Sequence, residues 1–308
     1  VGKQKGIESI QMEYLPVQPK HTNKNDNRVI GFQGDYRTDA GGFHRLNTLF
    51  ASISKIHDEK ILFDWKQLGY MDANLSALLL CLIQKLTKNN NLSFLLDEQS
   101  LVGGHNVFSR NGFADLVHNT GCLPLDERES TITVKKIFTS DADAFVNYID
   151  EKFLGHRALA NIQSEVKNRI ADSYNEVFGN VEIHAETDHV FVCGQYFPTF
   201  RELKFTLVDS GCGFLSKIST HTAGSSNITS IRSAIEWAIQ GGSTKTQAAG
   251  GSGLRRILSY CIEKKGSIHI SSDGGYWIYD PLRSNKPLFH SVTNFGAGTT
   301  INLIFRFT

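Results

Sequence analysis

The sequence predicts an α/β protein built from two successive units, and three observations carry that expectation. Strand-like and helix-like runs alternate from residue 28 to about residue 124, the pattern of a layered α/β unit. From about residue 131 to residue 308, long helical stretches are followed by paired strand-like runs, which predicts helices on a mostly antiparallel sheet. The length of 308 residues suits one large domain or two ordinary ones of about 100–200 residues each.

The composition narrows the function classes. Lys and Arg number 32 against 31 Asp and Glu, a net charge of +1, so there is no overall basic footprint for nucleic acid or a membrane surface. A hydrophobic fraction of 40% with 20% charged residues reads as a soluble globular chain. The cysteines Cys81, Cys122, Cys193, Cys212 and Cys261 are scattered, with no C-x-x-C pair. That argues against a disulfide framework and a zinc site and for a reducing compartment. The most apolar run, residues 75–83, is far short of the ~20 residues of a membrane span. No secretory leader pattern is visible, and an opening Val1 implies residues missing before it; a cytoplasmic location is expected.

In the first unit, residues 1–27 are polar, rich in Lys and Asn, and read as a leader with little structure of its own. Residues 29–32 form a short strand. Leu46, Leu49, Phe50 and Ile53 recur at helical spacing within a helix over residues 42–56. A strand follows at residues 61–65. The helix from Leu75 is apolar nearly all round, as in a fully buried helix, with Asn74 placed to cap it. The run Asn89-Asn90-Asn91 turns the chain into a strand at residues 92–96.

Residues 126–140 read as a linker or connecting strand. In the second unit, residues 141–153 form a helix opened by acidic residues, and a long helical pattern spans residues 158–185. Residues 189–197 and 203–208 pair as a hairpin, and strands at residues 267–272, 276–279 and 299–307 close the chain. Trp65, Trp237 and Trp277 read as core or interface residues. His156 reads as structural, because no two-helix dimerisation hairpin fits ahead of the long helix.

Four features of the second unit carry chemistry if they converge. Glu176, Asn180 and His184 recur every four residues on the long helix, along one stripe beside the core-facing Ile170, Tyr174, Val177, Val181 and Ala185. The run Asp209-Ser210-Gly211-Cys212-Gly213 ends an apolar strand; the aspartate can accept a bond from an amino group, and the glycines admit a ligand close to the backbone. The stretch from Gly241 through Lys245 to Gly250-Gly251-Ser252-Gly253-Leu254 is glycine-rich and leads into a helix, so its amides and that N-terminus can face phosphate oxygens. It matches neither the P-loop nor the dinucleotide fingerprint. Finally, Gly298-Thr299-Thr300 opens the last strand.

In this order, E-x-x-x-N, D-x-G-x-G, a glycine-rich lid ending G-x-G-L, and G-T-T before a final strand resemble the GHKL ATPase superfamily. Its members include gyrase, the heat-shock chaperone ATPases, histidine kinases and the anti-sigma serine kinases. The resemblance covers residues 141–308 and implies an α/β sandwich binding ATP and Mg²⁺ under a lid. It implies Glu176 as general base, Asn180 as the Mg²⁺ ligand, and Asp209 as reader of the adenine amino group with Thr299 in support. It further implies Gly211 and Gly213 close to the nucleotide, and Lys245, Gly251, Ser252, Gly253 and Leu254 around the phosphates. Two departures stand out: Gly179 before Asn180, and Arg255 where a glycine is expected.

Residues 28–125 have a resemblance of their own. The strand, Met71-Asp72, apolar helix, strand and Asn111-Gly112-Phe113 are similar to a STAS domain, the fold of anti-sigma-factor antagonists. Asp72-Ala73-Asn74-Leu75 stands where that family has its phosphorylated D-S-[ST]-G, with Asn74 at the hydroxyl position, so phosphorylation there is not expected. The two resemblances together imply an ATPase whose nucleotide state controls a protein–protein interaction, with a homodimer possible. An anti-sigma-type serine/threonine kinase and a non-catalytic nucleotide-dependent binding module are the alternatives.

Overall fold

The computed structural model describes residues 27–97, 101, 106–120, 126–244, 253–295 and 297–307. Its first part contains β1 (Arg28–Gly31), β2 (Gly34–Tyr36), α1 (Ala40–Ile53), β3 (Lys60–Asp64), β4 (Leu68–Met71), α2 (Ser76–Asn90), β5 (Ser93–Leu96), α3 (Val107–Arg110) and α4 (Phe113–His118). Strands β1, β3 and β5 form a parallel sheet in that order, and β2 pairs in parallel with β4. Asp39 starts α1 by accepting from the Gly42 amide at 2.8 Å, which satisfies one of the free donors of a first turn.

The second part begins with β6 (Thr131–Phe138), from the stretch read as a connection, followed by α5 (Ala142–Tyr148), α6 (Ser164–His184), β7 (His189–Phe197) and β8 (Glu202–Asp209). Then come α7 (Gly213–Thr222), α8 (Ile231–Ile239), α9 (Gly253–Lys264), β9 (Ser267–Ser272), β10 (Gly275–Tyr279), β11 (Leu288–Ser291) and β12 (Thr299–Arg306). Seven strands form one antiparallel sheet in the order β11-β10-β9-β12-β8-β7-β6. The chain is thus a mixed α/β protein with an antiparallel main sheet. No helix among the described residues is long and apolar enough to cross a membrane.

Both faces of the main sheet are covered, and the period of two along each strand sorts the side chains. Leu203, Phe205 and Leu207 of β8, with Ile301, Leu303 and Phe305 of β12, join the core formed with α5, α6, α8 and α9. Their neighbours Phe191, Cys193, Val208, Tyr276 and Ile278 face the opposite way, into the core of the first part. This explains α2: it lies between its own parallel sheet and the back of the main sheet, so an apolar surface all round is buried all round.

A polar network runs through that back-face contact. Lys204 Nζ donates to Asp72 Oδ2 at 2.8 Å, and both the amide and the hydroxyl of Thr38 donate to the same oxygen. Burial opposes ionisation of Asp72, but Lys204 and these hydrogen bonds hold its carboxyl below the usual range. Asn74 differs from expectation. Helix α2 starts at Ser76 after a tight turn over Ala73–Leu75, and its cap position makes no side-chain bond. Asn74 is instead fully buried and donates through Nδ2 to Thr206 Oγ1 at 2.8 Å. That hydroxyl in turn donates to Asn302 Oδ1 at 2.6 Å.

Candidate functional site

The antiparallel register places Thr299, the first residue of β12, opposite Asp209, the last of β8. Both lie on the helix-covered face, because odd positions of these strands carry the core residues of that side. Here a cleft opens among α6, α7, α8, the start of α9 and the ends of β8 and β12. Asp209 and Thr299 line it together with Asn180, Gly213 and Leu254, so residues from four separated segments meet in one place.

Asp209 is 3% exposed. Its Oδ1 accepts from the Gly211 amide at 2.8 Å and the Thr299 amide at 3.2 Å. Burial pushes its carboxyl up to about 7; the two amide bonds pull the other way, and Asp273 adds to the rise. With Oδ1 committed to the backbone, Oδ2 is the oxygen left for a ligand donor.

The glycines beside Asp209 are required by close approach. A Cβ on Gly298 would lie 2.4 Å from Asp209 Oδ1, and one on Gly211 would lie 2.0 Å from the Ala185 carbonyl oxygen. The Cys212 amide donates to that same carbonyl at 2.9 Å, tying the end of α6 to the loop. Gly213 adopts a φ of +74°, which a side chain would strain. Asp273 then fixes the start of α7, accepting from the Leu215 amide at 3.0 Å, while Ser272 accepts from Phe214.

Asn180 lines the cleft from α6, flanked by Val177, Val181 and Ala185. The stripe read as core-facing is therefore also a wall of the site. Glu176 sits one turn earlier and outside the cleft lining. It packs against the start of α9, where a Cβ on Gly253 would come within 3.1 Å of it. Arg256 reaches it, with a nitrogen 3.5 Å from Oε2. His184 closes α6. Lys245, Gly251 and Ser252 lie outside the described residues.

Several wall residues carry no motif. Trp237, read from sequence as core or interface, lines the cleft beside Gly242, where a Cβ would strike its ring at 2.2 Å. Phe214, Ile218 and Ala238 add apolar surface, and Ser243 and Thr244 add hydroxyls. Lys217, paired with Glu186, brings the cation of the lining. The helical spacing of Phe214, Lys217 and Ile218 on α7 was the signal available for this wall.

The arrangement can hold a flat, largely apolar ring whose edge donates to a carboxylate, with an amide oxygen one helix away. Among the described residues no three His, Cys, Asp or Glu side chains converge on a metal-sized site. Asn180 by itself suits a hard cation only in the mode where ligand phosphates and water supply most of the oxygens. No protein-family model matches the chain, and no curated protein matches it.

Proposed function

We propose that the chain binds ATP with Mg²⁺ in this cleft, as a GHKL-type ATPase joined to a STAS-like unit, and that its nucleotide state controls a protein–protein interaction. The observation that supports this most is the convergence of Asp209, Gly213, Asn180, Leu254 and Thr299 on one cleft. Asp209 Oδ2 accepts from the adenine amino group while Thr299 and Gly211 hold Oδ1. Trp237 and Phe214 flank the ring. Asn180 would hold Mg²⁺ through its amide oxygen, and the ion would offset charge on the phosphates. Glu176 orients a water and takes its proton during attack on the γ-phosphate.

In this reading the STAS-like unit is docked on the back of the main sheet rather than over the cleft. Asn74, at the position where its relatives are phosphorylated, is buried against Thr206, so control there runs through the contact itself and not through phosphate addition. The reading is tested by Glu176→Ala. The variant is expected to bind ATP as the parent does and to lose about 100-fold or more of its hydrolysis rate. Normal binding with an unchanged rate would sink the role given to Glu176.

One observation favours a second, non-catalytic reading: Arg256 already stands against Glu176, with a nitrogen 3.5 Å from Oε2, so a cation engages the carboxylate before any water arrives. Multiple turnovers by pure protein, lost in Glu176→Ala, would eliminate it.

A further inference from the structure

A second cavity of about 320 Å³ opens between α6 and α9, further along β12, and shares no lining residue with the cleft. Its walls are apolar: Ile170 and Tyr174 from α6, Ile257 from α9, Leu303 and Phe305 from β12. Space of this size falls in the range of small-molecule pockets. The thiol of Cys261 also faces it and is pushed up to about 12 by burial, so it is a neutral wall and not a nucleophile.

The charge of the rim asks for a ligand. At the rim stand three guanidinium groups, Arg169, Arg255 and Arg256. Arg169 is paired with Glu263 and Arg256 with Glu176. Arg255 has no ion-pair partner among the described residues, leaving the rim with an unmatched positive charge. Arg255 is also the residue that departs from the glycine expected after Leu254. That departure lies at the second cavity, while Leu254 itself faces the cleft.

We propose that this cavity binds a small amphiphilic anion, a carboxylate or phosphate head on a short apolar body, with the head pairing to Arg255 and the body between α6 and α9. Charge complementarity selects the head, and the apolar walls select the body. The head also competes with Glu176 for Arg256, which makes occupancy an activator of the cleft. This coupling rests on the reading of Glu176 as base; the binding does not.

The test is calorimetric titration of the nucleotide-free chain with octanoate, octyl phosphate and 1-octanol. Saturable one-to-one binding of an anion is expected, about tenfold or more tighter than the alcohol; the tighter of the two anions identifies the head. Arg255→Ala should erase the preference for anion over alcohol. Ser173→Leu, which fills the cavity from α6, should weaken all three. Absence of saturable anion binding, or anion binding unchanged in Arg255→Ala, overturns the site. Octanoate should also raise ATP turnover in the parent and not in Arg255→Ala. Unchanged turnover with octanoate bound overturns the coupling and leaves the site standing. A chain that binds octanoate but no ATP overturns the reading of the cleft instead.

Discussion

Thr299 donates its backbone amide to Asp209 Oδ1 at 3.2 Å across the β8–β12 pair. Because Gly211 donates to the same oxygen, the orientation of the carboxylate is set by the sheet before any ligand arrives. An Asn at this position must keep its oxygen toward the two amides, which turns its NH₂ toward the cleft. Asp209→Asn should therefore meet an adenine amino group donor to donor. A loss of about 10- to 100-fold in ATP affinity is expected, read by calorimetry; equal affinity would remove Asp209 from the recognition of adenine.

The same carboxylate makes a prediction about pH. Its pKa of about 7 in the folded chain lies above the ordinary value near 4. Between those limits the folded chain keeps a proton that the unfolded chain has lost, so this group's contribution to stability falls as pH rises toward 7 and is flat above it. Asp209→Asn should gain about 2–4 kcal/mol over the parent at pH 8 and almost nothing at pH 4, measured by denaturant unfolding. ATP affinity of the parent should weaken below pH 7, where the carboxyl must first lose its proton. A pH-independent difference between the two proteins would contradict the buried, proton-binding Asp209.

The loop glycines give a steric prediction. Gly298→Ala would bring a methyl group to 2.4 Å from Asp209 Oδ1 and from the Gly211 carbonyl oxygen, both held by backbone. Overpacking of this kind costs about 1–3 kcal/mol and pushes Asp209 out of register with Thr299. Unfolding midpoint and ATP affinity should fall together; a fall in neither would show that the loop has room the structure denies it.

Lys204 and Asp72 predict what holds the two parts together. Lys204→Met leaves Asp72 buried without its cation, and breaking such a pair costs about 3–5 kcal/mol. The double variant Lys204→Met with Asp72→Asn should recover most of that loss, because the uncompensated charge is gone. Asp72 titrates below the usual carboxylate range, so its stabilisation is present above the unfolded pKa near 4 and disappears as pH falls through the lower folded value. Equal stability of the single and double variants near pH 7 would show that charge is not what the contact depends on.

The legible parts of the fold were those with long, regular patterns. The hairpin of β7 and β8 and the final strand β12 carry dense runs of apolar residues, buried at most positions because both faces of the sheet are covered, and the apolar girth of α2 announced a helix buried on all sides. What it was buried against was not legible, because the partner face on β7 and β8 is more than 100 residues away. Asn74 looked like a helix cap because caps favour Asn; its bond to Thr206, 132 residues on, follows from tertiary contact alone. Strand β11 went unseen because it is four residues long and largely exposed, without an apolar alternation. At the site, glycine and acidic motifs carried Asp209, Gly213 and Asn180. Trp237 was hidden, since a tryptophan on an amphipathic helix reads as core until Gly242 is known to pack on its ring.

The central claim, an adenine nucleotide held at Asp209, is tested most directly by calorimetric titration of the full chain with ATP, with and without Mg²⁺. One saturable ATP site, tightened by Mg²⁺ and weakened about tenfold or more in Asp209→Asn, is the predicted result. Failure to bind any adenine nucleotide under either condition would contradict it.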